Sequence, residues 1–326
     1  MSYTTISKRD SNKPILYDYH PAPARFQEDI LDGLGKLQRQ IPPKYFYDEA
    51  GSQLFDAICQ LPEYYPTRTE IGLLEKYGEE MVQCMEVSDI LVEFGSGSSL
   101  KIRLLLDNLQ PDAYLPIDIS KAHLFNSAKI LAKDYPQVAI HAICADYTHP
   151  FMLPKNFEED AKSGFFPGSS IGNFEPQEAL QFLKQIARLL GKGSGLLIGV
   201  DLKKDTDILN AAYNDSQGIT AAFNLNLLKR INRELQGNFD LDNFKHNAFY
   251  NDSKGRVEMH LVSQKKQTVS IGEYAFEFQA GETVHTENSY KYSVDDFQKL
   301  AQAAGFYPKQ VWVGEEELFS VHYLYL

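Results

Sequence analysis

Three carboxylates close three successive apolar runs: Glu93 after DILV, Asp118 after AYLPI and Asp146 after VAIHAICA. Where apolar strands alternate with helices, such acids line up along one edge of a parallel sheet. After Glu93 comes Gly95-Ser96-Gly97-Ser98-Ser99, a turn whose glycines let backbone approach a ligand. The dinucleotide fingerprint G-x-G-x-x-G requires a third glycine, and Leu100 stands in its place. An acid before the turn offers a pyrophosphate nothing, but it suits a ligand that carries an ammonium group. Asp118 fits a ribose diol. Asp146 fits the exocyclic amine of adenine, with the Tyr147 ring to pack on the base. Taken singly, each acid reads as a helix cap or turn residue. Together, with G-x-G between them, they describe a pocket for adenosine linked to an amino acid. That ligand is S-adenosylmethionine, and its chemistry is methyl transfer.

The surrounding elements have the alternation needed to hold such a row. Strands are expected at 89–94, 113–118, 138–144, within 164–174 and at 194–202, with helices at 98–109, 120–135 and 176–190. Ser120 caps one helix and Pro176 opens another. This pattern predicts a doubly wound parallel sheet. A helix at 293–306 and two strands at 309–314 and 318–326, joined by Glu315, Glu316 and Glu317, predict an antiparallel closing hairpin. NAD-binding Rossmann folds usually lack that hairpin, and class I methyltransferases have it. The fold class is therefore α/β, a class I S-adenosylmethionine-dependent methyltransferase with a Rossmann-like seven-stranded sheet. Residues 67–203 and 292–326 are assigned to it. Residues 204–291 break the alternation with long helical stretches (205–236) followed by alternating strands such as RVEMHLVSQ and YAFEFQA. The first 66 residues do not fit the sheet pattern either, and YFYDEAGSQLFDAICQLPEYYPTR is too aromatic for disorder. Residues 15–66 and 204–291 are expected to form a second, discontinuous α+β substrate domain, leaving 1–14 as a polar tail.

Composition narrows the partners. The 326 residues carry a net charge of -12 with no basic cluster, which disfavours nucleic acid and favours a small molecule. No apolar run is long enough to span a membrane, and the N-terminus lacks an apolar signal core. Cys59, Cys84 and Cys144 are scattered without zinc spacing, so no metal and a reducing, cytoplasmic location are expected. A monomer is expected.

The strings YFYDEAGSQLF, LPEYYPTRTE, GSSIGNF, DLKKDTDILNAAYNDSQGITAAFNLNLLKRINREL, RVEMHL and TENSYKY lie mostly outside the sheet. In this order and with this spacing, they closely resemble the histidine-specific Nα-methyltransferases of ergothioneine biosynthesis, from about residue 40 to the C-terminus. The resemblance implies trimethylation of the α-amino group of L-histidine to hercynine. It implies that Tyr47, Gly95, Lys101, Asp118, Asp146 and Tyr147 contact S-adenosylmethionine; Glu93, before the glycine turn, and Gly97, within it, are expected there from the residue pattern itself. It places Tyr64, Gly168, Asn173, Tyr213, Met259, Glu287 and Ser289 around the amino acid. Glu287 and Ser289 would bond the imidazole, and Asn173 and Tyr213 the carboxylate and amine end. Tyr47, Asn173 and Tyr213 would stand at the reacting centre. Tyr147 departs from the family's usual phenylalanine, a change that keeps the packing role.

These residue types suit the reaction. In-line transfer to a neutral amine mainly requires alignment of nitrogen, methyl and sulfur. Tyrosine faces at 47, 64 and 213 hold the growing cation without donating to it. No residue stands out as a dedicated base. An acid at 287 with Met259 argues for histidine; a tryptophan enzyme is expected to lack the acid and to have a roomier pocket. Tryptophan or another amino acid is the alternative substrate. A non-catalytic binding protein, the other alternative, should have lost a cofactor acid or the Asn173 turn. His260 is expected on the face opposite Met259, in a structural role, and Cys144 is expected to be a buried strand residue.

Overall fold

The computed structural model describes residues 13–19, 24–85, 89–97, 99–158 and 160–326. All but the last two residues of the expected 1–14 tail, and Ser98 of the glycine turn, lie outside these. In chain order the main elements begin with β1 (Ile15–Asp18), α1 (Ala24–Gly35), β2 (Arg39–Gln40), α2 (Glu49–Ile58) and α3 (Tyr65–Cys84). The alternating region holds β3 (Ile90–Phe94), α4 (Leu100–Leu109), β4 (Ala113–Asp118), α5 (Lys121–Asp134), β5 (Ala139–Cys144), β6 (Ser163–Phe166), α6 (Pro176–Leu190) and β7 (Gly195–Asp201). The insert holds α7 (Thr206–Tyr213), α8 (Ile219–Leu235), β8 (Phe244–Asn251), β9 (Arg256–Ser263), β10 (Gln267–Ile271), β11 (Tyr274–Phe278) and β12 (Thr283–Tyr290). The chain closes with α9 (Val294–Ala303), β13 (Tyr307–Val313) and β14 (Phe319–Tyr325).

The large sheet has the order β1-β5-β4-β3-β6-β7-β14-β13. β1 to β7 of this sheet run parallel, while β14 is antiparallel to both β7 and β13. This is the expected methyltransferase sheet with one addition. β1 pairs with β5 and makes an eighth strand, so residues 15–18 belong to this sheet and not with the insert as expected. A polar N-terminal segment gave no periodic signal for a four-residue edge strand.

Sequence explains why the inner strands sit centrally. Every residue of ILVEF in β3 and GLLIGVD in β7 is buried, the near-continuous apolar run that a strand covered on both faces needs. α6 shows how the covering layer is made. Glu175 and Glu178 form a capping box, Pro176 fixes the first turn, and Ala179, Phe182, Leu183, Ile186 and Leu190 bury one stripe. The two faces of the sheet carry separate cores, one with Phe182, Ile198 and Phe297, the other with Leu73, Leu105 and Val321.

A third core joins distant sequence. Phe26, Ile30, Phe46 and Tyr65 pack with Leu209, Phe223, Leu227, Met259 and Val284. Above it lies a four-stranded sheet of order β2-β12-β9-β8, beside the β10-β11 hairpin. The N-terminal segment reaches this sheet through β2, which pairs in parallel with β12. Among the described residues no helix is long and apolar enough to cross a membrane.

Candidate active site

A cavity of about 940 Å³ opens along the carboxyl ends of β3, β4 and β5. Glu93, Gly95, Gly97, Lys101, Asp118, Asp146 and Tyr147 all line it. Gly95 takes φ +74°, a conformation strained for any other residue type, and a Cβ there would meet the Tyr147 hydroxyl at 3.3 Å, a tight contact. Asp118 accepts from the backbone N–H of Gly97 (3.2 Å) and of Ser120 (2.8 Å). Burial nonetheless holds its pKa above the usual carboxylate range. Glu93 is buried against the Tyr114 hydroxyl, and its pKa is pushed up to about 8 by burial. A cation brought near would return it to the ionised form.

Asp146 is already engaged. Its carboxylate accepts from Thr148, lies 3.0 Å from His149 Nδ1 and 3.2 Å from Lys44 Nζ. Burial would raise its pKa, but Thr148, Lys44 and His149 outweigh burial and hold it low. It is therefore an ionised acceptor. The ring of Tyr147 packs between Phe94, Phe166 and Phe182.

The cavity fits S-adenosylmethionine. Ser96 Oγ is buried at its wall with no partner, an orphan polar atom that a ligand would satisfy. Its volume lies in the range of cofactor pockets.

A second, smaller cavity of about 30 Å³ adjoins the first, sharing Tyr47, Phe55, Tyr64, Gly168 and Asn173 as walls. Tyr213, Glu287 and Ser289 complete it. It holds about one water, so an amino acid must displace side chains or enter partly through the larger space. The aromatic walls meet edge to face: Tyr47 on Phe55 at 5.7 Å, Phe55 on Tyr64 at 6.3 Å, Tyr64 on Tyr213 at 6.2 Å. Burial pushes all three tyrosine pKa values up, so the phenols stay neutral at physiological pH. They offer faces and hydrogen bonds rather than a base.

β12 supplies the floor. Glu287 projects from it into the small cavity, and burial pushes its pKa up to about 7, with Lys291 pulling the other way. Met259 is its cross-strand partner on β9, so the two side chains share a face. Met259 itself is buried in the insert's core and does not line either cavity, unlike the other expected substrate residues. The turn Ser170–Asn173 presses on β12: a Cβ at Gly172 would come within 2.7 Å of the Tyr290 carbonyl. That close approach places Asn173 at both cavities.

On the opposite face of β9, His260 stacks on His285 at 4.7 Å and bonds to Glu258. These three residues gather within metal-binding distance of one another. Arg256 already pairs with the Glu258 carboxylate at 2.8 Å. Cys144 is buried, its thiol near the Ile119 carbonyl.

Sequence reasoning passed over several polar residues that hold this site together. Glu70 on α3 is fully buried; it pairs with Lys101 at 2.5 Å and accepts from the Gly168 N–H at 2.9 Å. It thereby ties Lys101, expected at the cofactor, to Gly168, expected at the substrate. Lys44 bridges Asp29 and Asp146, each at 3.2 Å. Asp201, at the end of β7, binds Lys291, Lys204 and Tyr65. The cue available was a charged residue inside an otherwise apolar run, as in GLLIGVD, which seldom stays buried without a partner.

A sheet in this order, with an acid row facing one elongated cavity at its carboxyl edge, is that of a class I S-adenosylmethionine-dependent methyltransferase. The sequence matches the family described as "Histidine-specific methyltransferase, SAM-dependent" over residues 26–326. The chain belongs to that family. It is 39% identical to the histidine N-alpha-methyltransferase of Mycobacterium tuberculosis, over 90% of this chain and 93% of that protein. It is also 39% identical to the Mycolicibacterium smegmatis protein of the same name, over 88% and 90%. An L-tryptophan methyltransferase of Psilocybe serbica is 27% identical, over 90% of each chain.

Proposed function

We propose that the protein transfers three methyl groups to the α-amino nitrogen of L-histidine, giving hercynine in ergothioneine biosynthesis. The bound cofactor supplies an electrophilic methyl on a sulfonium. The rest falls to the chain's own residues. Asp118 holds the ribose diol, Asp146 the adenine amine, and Tyr147 packs on the base. Glu93 and Lys101 flank the amino-acid end at the Gly95–Gly97 turn. Asn173 and Tyr213 hold the substrate's carboxylate and amine beside Tyr47. The cage of Tyr47, Tyr64 and Tyr213 accommodates a nitrogen whose positive charge becomes permanent at the third transfer. The segments 19–66 and 204–291 act as the substrate domain, with the sheet as the cofactor domain. The enzyme works on free amino acid, as a cytoplasmic monomer.

The observation that carries the histidine reading is Glu287. Among the described residues no protein donor hydrogen-bonds its carboxylate, although it faces the small cavity beside the aromatic cage. A half-buried acceptor facing an aromatic-walled cavity without a protein donor is placed to take one from the ligand, and an imidazole N–H supplies it.

The test is product analysis by mass spectrometry with S-adenosylmethionine and each common amino acid in turn. Histidine gaining three methyl groups is expected. Methylation of tryptophan in preference to histidine would overturn the assignment of Glu287.

A further inference from the structure

We infer that Lys291, anchored by Asp201, is a positioning residue that makes Ser289 a hydrogen-bond donor toward the substrate ring. This rests on the histidine reading and concerns how the ring is told from others.

Glu287 and Ser289 are alternate residues at the end of β12 and share one face, and Lys291 follows the strand's last residue, Tyr290, with its ammonium on Ser289 Oγ. Lys291 is buried, and an ammonium group has three N–H bonds to place. Three acceptors surround it: Asp201 Oδ2 at 2.5 Å, Ser289 Oγ at 2.8 Å and the Tyr213 hydroxyl at 3.2 Å. Asp201 is fixed in turn by the Tyr65 hydroxyl at 2.8 Å and by Lys204 at 2.5 Å, so the lysine has a rigid anchor.

The consequence follows from counting lone pairs. The Tyr213 hydroxyl accepts from Lys291 and donates to Ser289 Oγ at 2.7 Å. Ser289 Oγ thus receives from both Lys291 and Tyr213, which uses both of its lone pairs. Its own hydrogen must point elsewhere, and Ser289 lines the small cavity with Glu287. Beside the Glu287 acceptor the cavity therefore presents Ser289 as a donor; the Asp201 carboxylate also lines it but is taken up by Tyr65, Lys204 and Lys291. A neutral imidazole answers both, with one N–H and one bare nitrogen. A pyrrole or an indole answers only Glu287 and leaves a buried donor unpaired. Without Lys291, Ser289 regains a free lone pair and no longer enforces the choice.

The experiment compares histidine with the two pyrrolylalanines, which keep one ring N–H and lack the bare nitrogen, at saturating S-adenosylmethionine. The parent enzyme should prefer histidine in kcat/KM by about a hundredfold over the better pyrrolylalanine. In Lys291→Met that preference should fall to about threefold. The histidine KM should rise more than kcat falls, with cofactor affinity within about twofold of the parent. Lys291→Gln, which keeps an N–H for Ser289, should recover most of the preference. A Lys291→Met enzyme that binds cofactor like the parent and keeps its full preference would overturn the proposal. If Lys291→Met does not fold, Ser289→Ala decides, because it removes the donor without disturbing Asp201: a collapsed preference supports the proposal and an unchanged one overturns it. A parent enzyme that does not methylate histidine would instead overturn the substrate reading.

Discussion

The two halves of the active site are built by different means. On the cofactor side, acids from consecutive strand ends and backbone of the glycine turn face a cavity of about 940 Å³. On the substrate side, side chains from four separated stretches converge on about 30 Å³. The cofactor half follows from the fold: any parallel sheet with helices between its strands has such an edge. The substrate half depends on a saturated side-chain network, in which Lys291, Tyr213, Ser289 and Asp201 fix one another. On the proposed assignment, the difference makes affinity for the cofactor a property of the scaffold and choice of substrate a property of a few polar atoms.

That contrast can be broken most directly at Glu287. Glu287→Ala should lower kcat/KM for histidine on the order of a hundredfold, since the ring N–H loses its buried acceptor. Steady-state kinetics at saturating cofactor check this, and a change under about threefold would remove Glu287 from the ring. Asp118→Ala should act on the other half, raising the S-adenosylmethionine KM by roughly ten- to a hundredfold through loss of a charged acceptor for the ribose. Histidine KM at saturating cofactor should move little.

The pH dependence sharpens the same comparison. Burial holds the Glu287 pKa at about 7 in the folded protein. A carboxyl raised on folding stabilises the folded state fully below its unfolded pKa, and that contribution is lost as pH climbs through the folded pKa. Glu287→Gln does not titrate. Without ligands, its stability relative to the parent should therefore rise between pH 4.5 and 8, by about 3 kcal/mol at most. Thermal melts across that range test the sign, and a flat difference would contradict the burial of Glu287. The smallest effect is expected from Tyr147→Phe. The ring stays packed among Phe94, Phe166 and Phe182, so cofactor affinity should remain within about threefold. A larger loss would give the hydroxyl a role that packing does not.

Legibility in the sequence divides along the same line. Period and turn chemistry located β3, β4, β5, α6 and β7, and the acid row came with them, because each acid sits in sequence where its strand stops. The closing hairpin was equally plain. β1 was not, since four half-exposed residues at an edge carry no burial pattern. The substrate residues had no local signature. Asn173, Tyr213, Glu287 and Ser289 are brought together by the turn at 170–173, α7 and β12, and only the family resemblance pointed to them as a set. Glu70, Lys44, Asp201 and Lys291 were missed by both routes. A buried ion pair is invisible until the partner is known, and each of these pairs joins segments far apart in the chain.

The most direct measurement is calorimetric titration of Glu287→Ala with S-adenosylhomocysteine, which has no methyl to transfer, followed by histidine titrated into the loaded protein. S-adenosylhomocysteine binding at about the parent's affinity with histidine binding weakened on the order of a hundredfold is the result expected of two separately built halves. Equal loss of both ligands, or histidine bound as tightly as by the parent, would contradict that division.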